Sequence, residues 1–316
     1  MEICALLDPG KLANLRRKPM ADQSPPRSEG EQLVETLDAL ERQSQVKEIS
    51  GWQTGFANLN RALDGILPGL YLLIGAPTCG KTSFAKQLLD QVAQRNHQPG
   101  IFFSFSDSVS ELRIKTFARL SAMENREIRR GSAYLVHWYG VPKAHHASAD
   151  ELAPSWEKLR RCAEEAKSWL DQIYLVECDR RTTLKKLETQ IRQIDGTPFA
   201  VVDDCQRLGD ANLALDARLP IVVEQLQELA VNLKLPLLAI WPDASSTNQT
   251  QPHAWADKVA SADVIMVMEN DLARTAKLTE PNQAITLHIV KNRGGERGKL
   301  AFEFQPAFAR FVAVES

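Results

Sequence analysis

Several short apolar runs punctuate the chain, each closed by glycine, proline, serine or an acid: Leu70–Ile74, Ile101–Phe105, Phe199–Val202 and Leu235–Trp241. They are near-continuous rather than alternating, which predicts strands buried on both faces, as in a parallel sheet. Ile173–Glu177 and Val264–Met268 predict two further strands, and Ala284–Val290, Leu300–Phe304 and Ala309–Phe311 a C-terminal set. Helical periodicity fills the intervals. Phe84, Leu88 and Val92 share one face; Leu112, Phe117 and Leu120 mark a second helix, and Trp156, Leu159, Ala163, Ala166 and Leu170 a third. Thr182-Thr183-Leu184 opens a helix through Ile194, and Pro220–Leu233 reads as a helix with proline in its first turn. Strands alternating with helices predict an α/β fold, a mostly parallel sheet flanked by helices with a C-terminal β-hairpin.

Ahead of this pattern, Glu31–Val46 places Leu33, Leu37 and Leu40 at i, i+4 and i+7, an amphipathic helix whose stripe packs either on its own domain or on a neighbouring subunit. Residues 1–30 are rich in Pro, Ser, Arg and Lys and too poor in apolar material for a core, so a flexible tail is expected there. Its Arg16-Arg17-Lys18 run is read as solvated surface in preference to a nucleic-acid contact. The expected organisation is a tail (1–30), a linker helix (31–50) and one large domain (51–316).

Composition narrows the classes. With 316 residues, 44% hydrophobic and 25% charged, the chain has material for a sizeable core. A formal charge of −2 leaves any nucleic-acid contact to local loops rather than to the field of the whole molecule. Five cysteines without C-x-x-C spacing argue against a zinc site and a disulfide framework and fit a reduced cytoplasm. No run is long and apolar enough for a membrane span, and a cytoplasmic location is expected. His137, His145 and His146 sit in one loop, but no carboxylate or cysteine stands at ligand spacing beside them.

The chemistry concentrates where the first strand ends. Gly75-Ala76-Pro77-Thr78-Cys79-Gly80-Lys81-Thr82, followed by Ser83, has the spacing G-x-x-x-x-G-K-[ST] of a phosphate-binding loop. Gly75 and Gly80 free the backbone to wrap phosphates, so that successive N–H groups and the next helix N-terminus point at the anion. Lys81 supplies charge to the β- and γ-phosphates of ATP, and the Thr82 hydroxyl takes one position on Mg²⁺. Phe199–Asp203 ends an apolar strand in acids, the Walker B pattern, which makes Asp203 the second Mg²⁺ group.

Thr54-Gly55-Phe56-Ala57-Asn58-Leu59-Asn60, then Gly65-Ile66-Leu67-Pro68-Gly69, then the strand and P-loop resemble the entrance of RecA-like ATPases, above all the C-terminal motor domain of the DnaB family of replicative helicases. The resemblance spans residues 31–316 and is most specific at its two ends. It implies a stand-alone RecA-like domain, since the tail has no room for the family's helical N-terminal domain, and it makes the 31–46 helix similar to the family's linker helix. The family's D-Y-x-Q stands here as Asp203-Asp204-Cys205-Gln206, so Gln206 resembles its glutamine near the γ-phosphate. Arg218 resembles an arginine of the central DNA-binding loop, although Asp210 and Asp216 in the same segment weaken that role. Lys291-Asn292-Arg293-Gly294-Gly295 and the later Arg310-Phe311 are similar to the family's K-x-R-[NG]-G hairpin and terminal R-F. By that likeness Lys291 and Arg293 act across a subunit interface, Arg293 as an arginine finger. Glu127-Ile128-Arg129-Arg130-Gly131 resembles an I-R-x-G stretch, and residues 135–154 read as a surface insertion.

The departures matter as much. Where the family runs F-F-S-L-E-M, with Glu as the base orienting the attacking water, this chain has Phe102-Phe103-Ser104-Phe105-Ser106-Asp107, with Ser106 in the glutamate position. Loss of a general base costs about 10²- to 10⁴-fold in rate. Asp204, directly after the Walker B acid, is either a compensating base or a surface acid, and Asp107 is offset by one residue. The family's S-Q strand end is Trp241-Pro242 here, without the sensor glutamine. Two readings follow: a DnaB-like ATPase, forming a ring or filament and by resemblance a hexamer, that works on single-stranded DNA; or an ATP-dependent assembly or regulatory protein that binds ATP and hydrolyses it slowly.

Overall fold

A computed structural model describes residues 49–130, 152–242 and 258–314, together with residues 30, 33 and 37. The chain divides into two units, Met1–Glu48 and Ile49–Ser316. In the first, Leu33 and Leu37 are helical, as expected, and are 50% and 55% exposed, while Gly30, expected in the tail, is helical as well. Leu40, the histidine loop and nearly all of the 135–154 insertion lie outside the described residues.

The second unit is built on a sheet of nine described strands in the order β3-β2-β4-β5-β1-β6-β7-β8-β9. These are β1 (Gly69–Gly75), β2 (Gly100–Ser104), β3 (Ile173–Glu177), β4 (Phe199–Asp203), β5 (Pro236–Pro242), β6 (Val264–Asn270), β7 (Gln283–Asn292), β8 (Gly298–Gln305) and β9 (Arg310–Val314). The first six pair in parallel, and β7 to β9 add antiparallel strands at one edge. The near-continuous runs have the expected cause. Tyr71 and Leu73 point into one core with Phe84, Leu88, Leu112 and Phe302, while Leu70, Leu72 and Ile74 point into the other with Leu187, Val222, Leu226 and Trp241. Burial on both faces removes the need for polar residues at alternate positions. Edge strand β3 is only half-buried, with Tyr174 exposed.

On the first face lie α1 (Ala57–Leu63), α2 (Lys81–Asn96) and α3 (Val109–Ser121), followed in the chain by the short α4 (Asn125–Arg130) and then α5 (Leu152–Leu170). Phe84, Leu88 and Val92 of α2 are all buried. The Glu127 stretch, expected between helices, itself forms α4. On the second face lie α6 (Leu184–Ile191) and α7 (Leu215–Leu233). Helix α6 is shorter than expected: Thr183 caps it by accepting from Lys186 N, and beyond Ile191 the chain continues as turns. Helix α7 begins earlier than expected, because Ala214 O accepts from both Ala217 N and Arg218 N (3.1 and 3.0 Å) and closes a turn before the proline. Pro220 thus sits inside the helix, where its missing N–H orphans only a carbonyl of the exposed first turn. A last short helix, α8 (Leu272–Thr275), follows β6.

The entrance motif has a local reason to exist. Thr54 Oγ1 donates to Asn60 Oδ1 (2.6 Å), which also accepts from Thr54 N (2.7 Å), while Thr54 Oγ1 accepts from Phe56 N (3.1 Å). Gly55 has φ +83°, and a Cβ there would fall 2.6 Å from the Gln91 side chain. The motif is a closed turn that seats Phe56 on Phe84, ring centroids 5.6 Å apart.

Candidate nucleotide site

The P-loop leaves β1 and enters α2 through Thr78 (φ +67°) and Gly80 (φ +86°), two left-handed residues that turn the backbone around an open concavity. Gly80 is required twice over: a Cβ would strain the backbone and lie 2.9 Å from both Phe304 and Phe311. Those rings stack 4.5 Å apart behind the loop. Gln87 holds them there, donating to Phe311 O (3.0 Å) and accepting from Phe311 N (2.7 Å). Sequence reasoning missed this support; the only signal was the aromatic spacing of the last two strands.

Lys81 curls back, its Nζ donating to Ala76 O at 2.7 Å, so the ammonium lies over the loop where a phosphate would sit. Cys79 is buried, and burial pushes its thiol up, which makes it a packing group of the loop rather than a nucleophile. Thr82 Oγ1 donates to Asp203 Oδ2 at 2.8 Å. That bond leaves the Thr82 lone pairs free for a cation, and with the adjoining carboxylate they supply the hard oxygen donors that Mg²⁺ takes. The fold thus brings the P-loop hydroxyl and the strand-end acid together. Burial pushes the Asp203 carboxyl up to about 6, with the charges of Asp204 and Asp107 adding to the effect and the Thr82 and Ser106 hydroxyls opposing it.

Ser106, in the position where a base is expected, donates from Oγ to the same Asp203 Oδ2 at 3.0 Å. Asp107 is turned elsewhere: its backbone is pinned by the Ser104 hydroxyl, and its Oδ2 pairs with Lys115 Nζ at 2.8 Å. Asp204 adopts φ +58°, uncommon for a residue with a side chain, and makes only a loose pair with Arg207 (3.7 Å). Gln206 follows in a short 3₁₀ turn with its Oε1 buried and no partner among the described residues. Pro242 lies in register beside Gly75, where a sensor side chain is absent.

The remaining candidates are not brought to this pocket within one chain. Val264, which pairs with Asn292, is in register with Tyr71, roughly 13 Å of strand before Gly75. Lys291 and Arg293 therefore lie at the opposite end of the strands from the P-loop. Lys291 Nζ donates to Ala260 O, and Arg293 pairs with Asp263 Oδ1 at 2.8 Å while remaining 63% exposed. Asp263, which the sequence showed only as a remnant of a longer motif, also accepts from Leu70 N and Gln227 Nε2, both at 2.9 Å. Arg218 faces its own loop, donating to the carbonyls of Gln206, Ala211 and Leu213 at 3.3, 3.1 and 2.6 Å. The described residues contain no cluster of metal-ligating side chains and no helix long and apolar enough to cross a membrane.

A P-loop between β1 and α2, a hydroxyl–carboxylate pair beneath it and a mostly parallel sheet define a P-loop ATPase domain of the RecA-like class. Within that class the chain belongs to the DnaB-like helicase C-terminal domain family, whose model matches residues 51–313. It is 23% identical over 301 residues to the replicative DNA helicase DnaB of Haemophilus influenzae and 23% identical over 296 residues to that of Geobacillus stearothermophilus, alignments that cover 89% and 90% of the chain. They span 59% and 61% of those relatives, so the chain matches about three fifths of their length. The fold is shared with a separately solved ATPase domain, with TM-score 0.71, 20% identity and coverage of 92% of this chain and all of that one. It is also shared with a DnaB-like replicative helicase solved in a study of its interactions with primase, with TM-score 0.68, 20% identity and coverage of 92% of this chain and 68% of that one.

Proposed function

We propose that the chain binds ATP and Mg²⁺ at the interface between copies of itself and acts on single-stranded DNA in replication or a related DNA transaction. The observation that carries the reading is the Thr82–Asp203 bond beneath a loop that already presents Lys81. In this reading the backbone from Gly75 to Ser83 holds the phosphates, Lys81 balances their charge, and Thr82 and Asp203 hold the metal. When bound, Mg²⁺ neutralises the charge that builds on the transferred phosphoryl group. Gln206 faces the γ-phosphate, and Asp204 orients the attacking water in place of the missing glutamate.

The exposed position of Arg293, at the end of the strands away from its own P-loop, supports a role in trans. Among the described residues, a lone chain offers Lys291 and Arg293 carbonyl and carboxylate partners. Assembly into a ring, by family likeness a hexamer, would give them a neighbour's γ-phosphate instead. A cytoplasmic location and a linker helix over 31–50 complete the proposal.

One observation favours a second reading, in which the chain assembles on ATP and hydrolyses it slowly. Ser106 spends its proton on Asp203 and offers no carboxylate to a water molecule. Phosphate release measured with and without oligothymidylate, beside Lys81→Ala and Asp204→Asn, separates the two. DNA-stimulated turnover of about 1 s⁻¹ or more, abolished by Asp204→Asn with nucleotide binding retained, supports the motor. Turnover that stays far below this while nucleotide-dependent oligomers form supports the assembly protein. Failure to bind a non-hydrolysable ATP analogue with Mg²⁺ sinks both.

A further inference from the structure

The segment 207–218 carries two arginines and two aspartates, a balanced set. Its cations are also engaged. Arg207 leans toward Asp204, and Arg218 runs its side chain under the loop and ends on three of the loop's own carbonyls. The fit is close: a Cβ on Gly209 would fall 2.3 Å from Arg218 Cγ and 2.6 Å from its Cδ, so the loop is closed directly over the arginine stem. Arg218 Nε is buried and, like Gln206 Oε1, has no partner among the described residues. One of the three carbonyls belongs to Gln206, the residue read above as facing the γ-phosphate.

We infer that Arg218 is a positioning residue: it staples the 207–213 loop to Gln206, so that loop and γ-phosphate contact move as one body, and it does not itself bind a nucleic-acid phosphate. A guanidinium suits the task because its planar fork presents several donors in fixed directions, enough for carbonyls on three sides. A phosphate contact asks less, since a point charge suffices and lysine serves as well as arginine. The inference rests on the nucleotide reading, because Gln206 transmits nothing unless a nucleotide occupies the P-loop. It leaves the loop's backbone and its exposed Leu213 and Leu215 as the surface a ligand would meet.

The test compares the full-length wild type, Arg218→Ala, Arg218→Lys and Gly209→Ala by amide hydrogen exchange over residues 206–213, with and without a non-hydrolysable ATP analogue and Mg²⁺. Arg218→Ala is expected to speed exchange across the whole loop by about tenfold, the loss of roughly one net hydrogen bond. Lysine does not restore it, and Gly209→Ala, which pushes on the staple from the loop side, reproduces it should Arg218→Ala fail to fold. In the wild type the analogue slows exchange in this loop; in Arg218→Ala that response is confined to Gln206. Salt titration of oligothymidylate binding supplies the opposing outcome. A fall of about 0.7 in the slope of log K against log salt for Arg218→Ala, restored by lysine, with loop exchange unchanged, would make Arg218 a phosphate ligand and overturn the inference. If the wild type does not bind oligothymidylate, the DNA part of the proposed function fails, while hydrogen exchange still decides the role of Arg218.

Discussion

Ser106 Oγ donates to Asp203 Oδ2 at 3.0 Å, the same oxygen that Thr82 Oγ1 reaches at 2.8 Å. A side chain in the place expected for a base is therefore bound to the acid proposed to hold the metal. Restoring a carboxylate by Ser106→Glu is expected to raise turnover at saturating ATP by about 10²-fold, the lower range for a positioned base. Ser106→Ala should leave turnover within roughly twofold, because a hydroxyl that only donates contributes no base catalysis. Steady-state phosphate release checks both.

The raised carboxyl of Asp203 has a consequence for stability, with a definite sign. Its ordinary range lies near 3.8 and its folded value near 6, so its contribution is fully present below the lower value and is lost as pH rises through the higher one. By pH 7, holding the acid ionised costs the nucleotide-free fold about 3 kcal/mol. Denaturant unfolding in chelator should show stability falling between about pH 4 and 6, a trend that Asp203→Asn flattens. That variant is expected to be the more stable one at neutral pH and to lose Mg²⁺-dependent nucleotide binding.

Because Arg293 is exposed and, among the described residues, has its side chain paired with Asp263 alone, Arg293→Ala should leave folding intact. If Arg293 acts on a neighbour, the variant loses about 10³-fold in turnover or more, while nucleotide binding and assembly persist. Mixing Arg293→Ala with Lys81→Ala then regenerates some interfaces with both residues intact. Phosphate release from the mixture should exceed that from either variant alone.

Between α2 and α3 lies a buried charge network that takes no part in the nucleotide site. Asp90 is flanked by Lys86 and Arg119, with Thr116 bonded to the same carboxylate and Arg119 reaching on to Ala309 O (3.1 Å). Burial alone would raise the Asp90 carboxyl, but the two cations hold it below its ordinary value. Asp90→Asn leaves Lys86 and Arg119 buried without their counter-charge and is expected to cost about 3–5 kcal/mol in denaturant unfolding.

Local signals were sufficient wherever one stretch of chain does one job. The P-loop, the strand-end acid and the entrance segment are each built from residues close in sequence; the structure brings the first two together and closes the third, known only by resemblance, into a turn. What the sequence could not reveal depends on distant partners. Pro220 reads as a helix start, because nothing local reports that Ala214 already closes a turn ahead of it. Arg218 resembles a DNA-loop arginine until its three carbonyls are placed around it. Ser106 reads as a missing base, and only the fold shows that its proton is bound by an acid from β4. Likewise, Asp263 gains meaning from Arg293, Leu70 and Gln227, which no pattern within the chain brings to it.

The rings behind Gly80 bear on how the protein is made. Gly75 to Thr82 leaves the ribosome some two hundred residues ahead of Phe304 and Phe311, on which the loop rests; Gln87 and Phe311 are 224 residues apart. A nascent chain thus carries the Gly75–Thr82 segment long before it has the surface on which that segment rests. The loop can take its packed form, with Gly80 closed against both rings, only once the last two strands have been made.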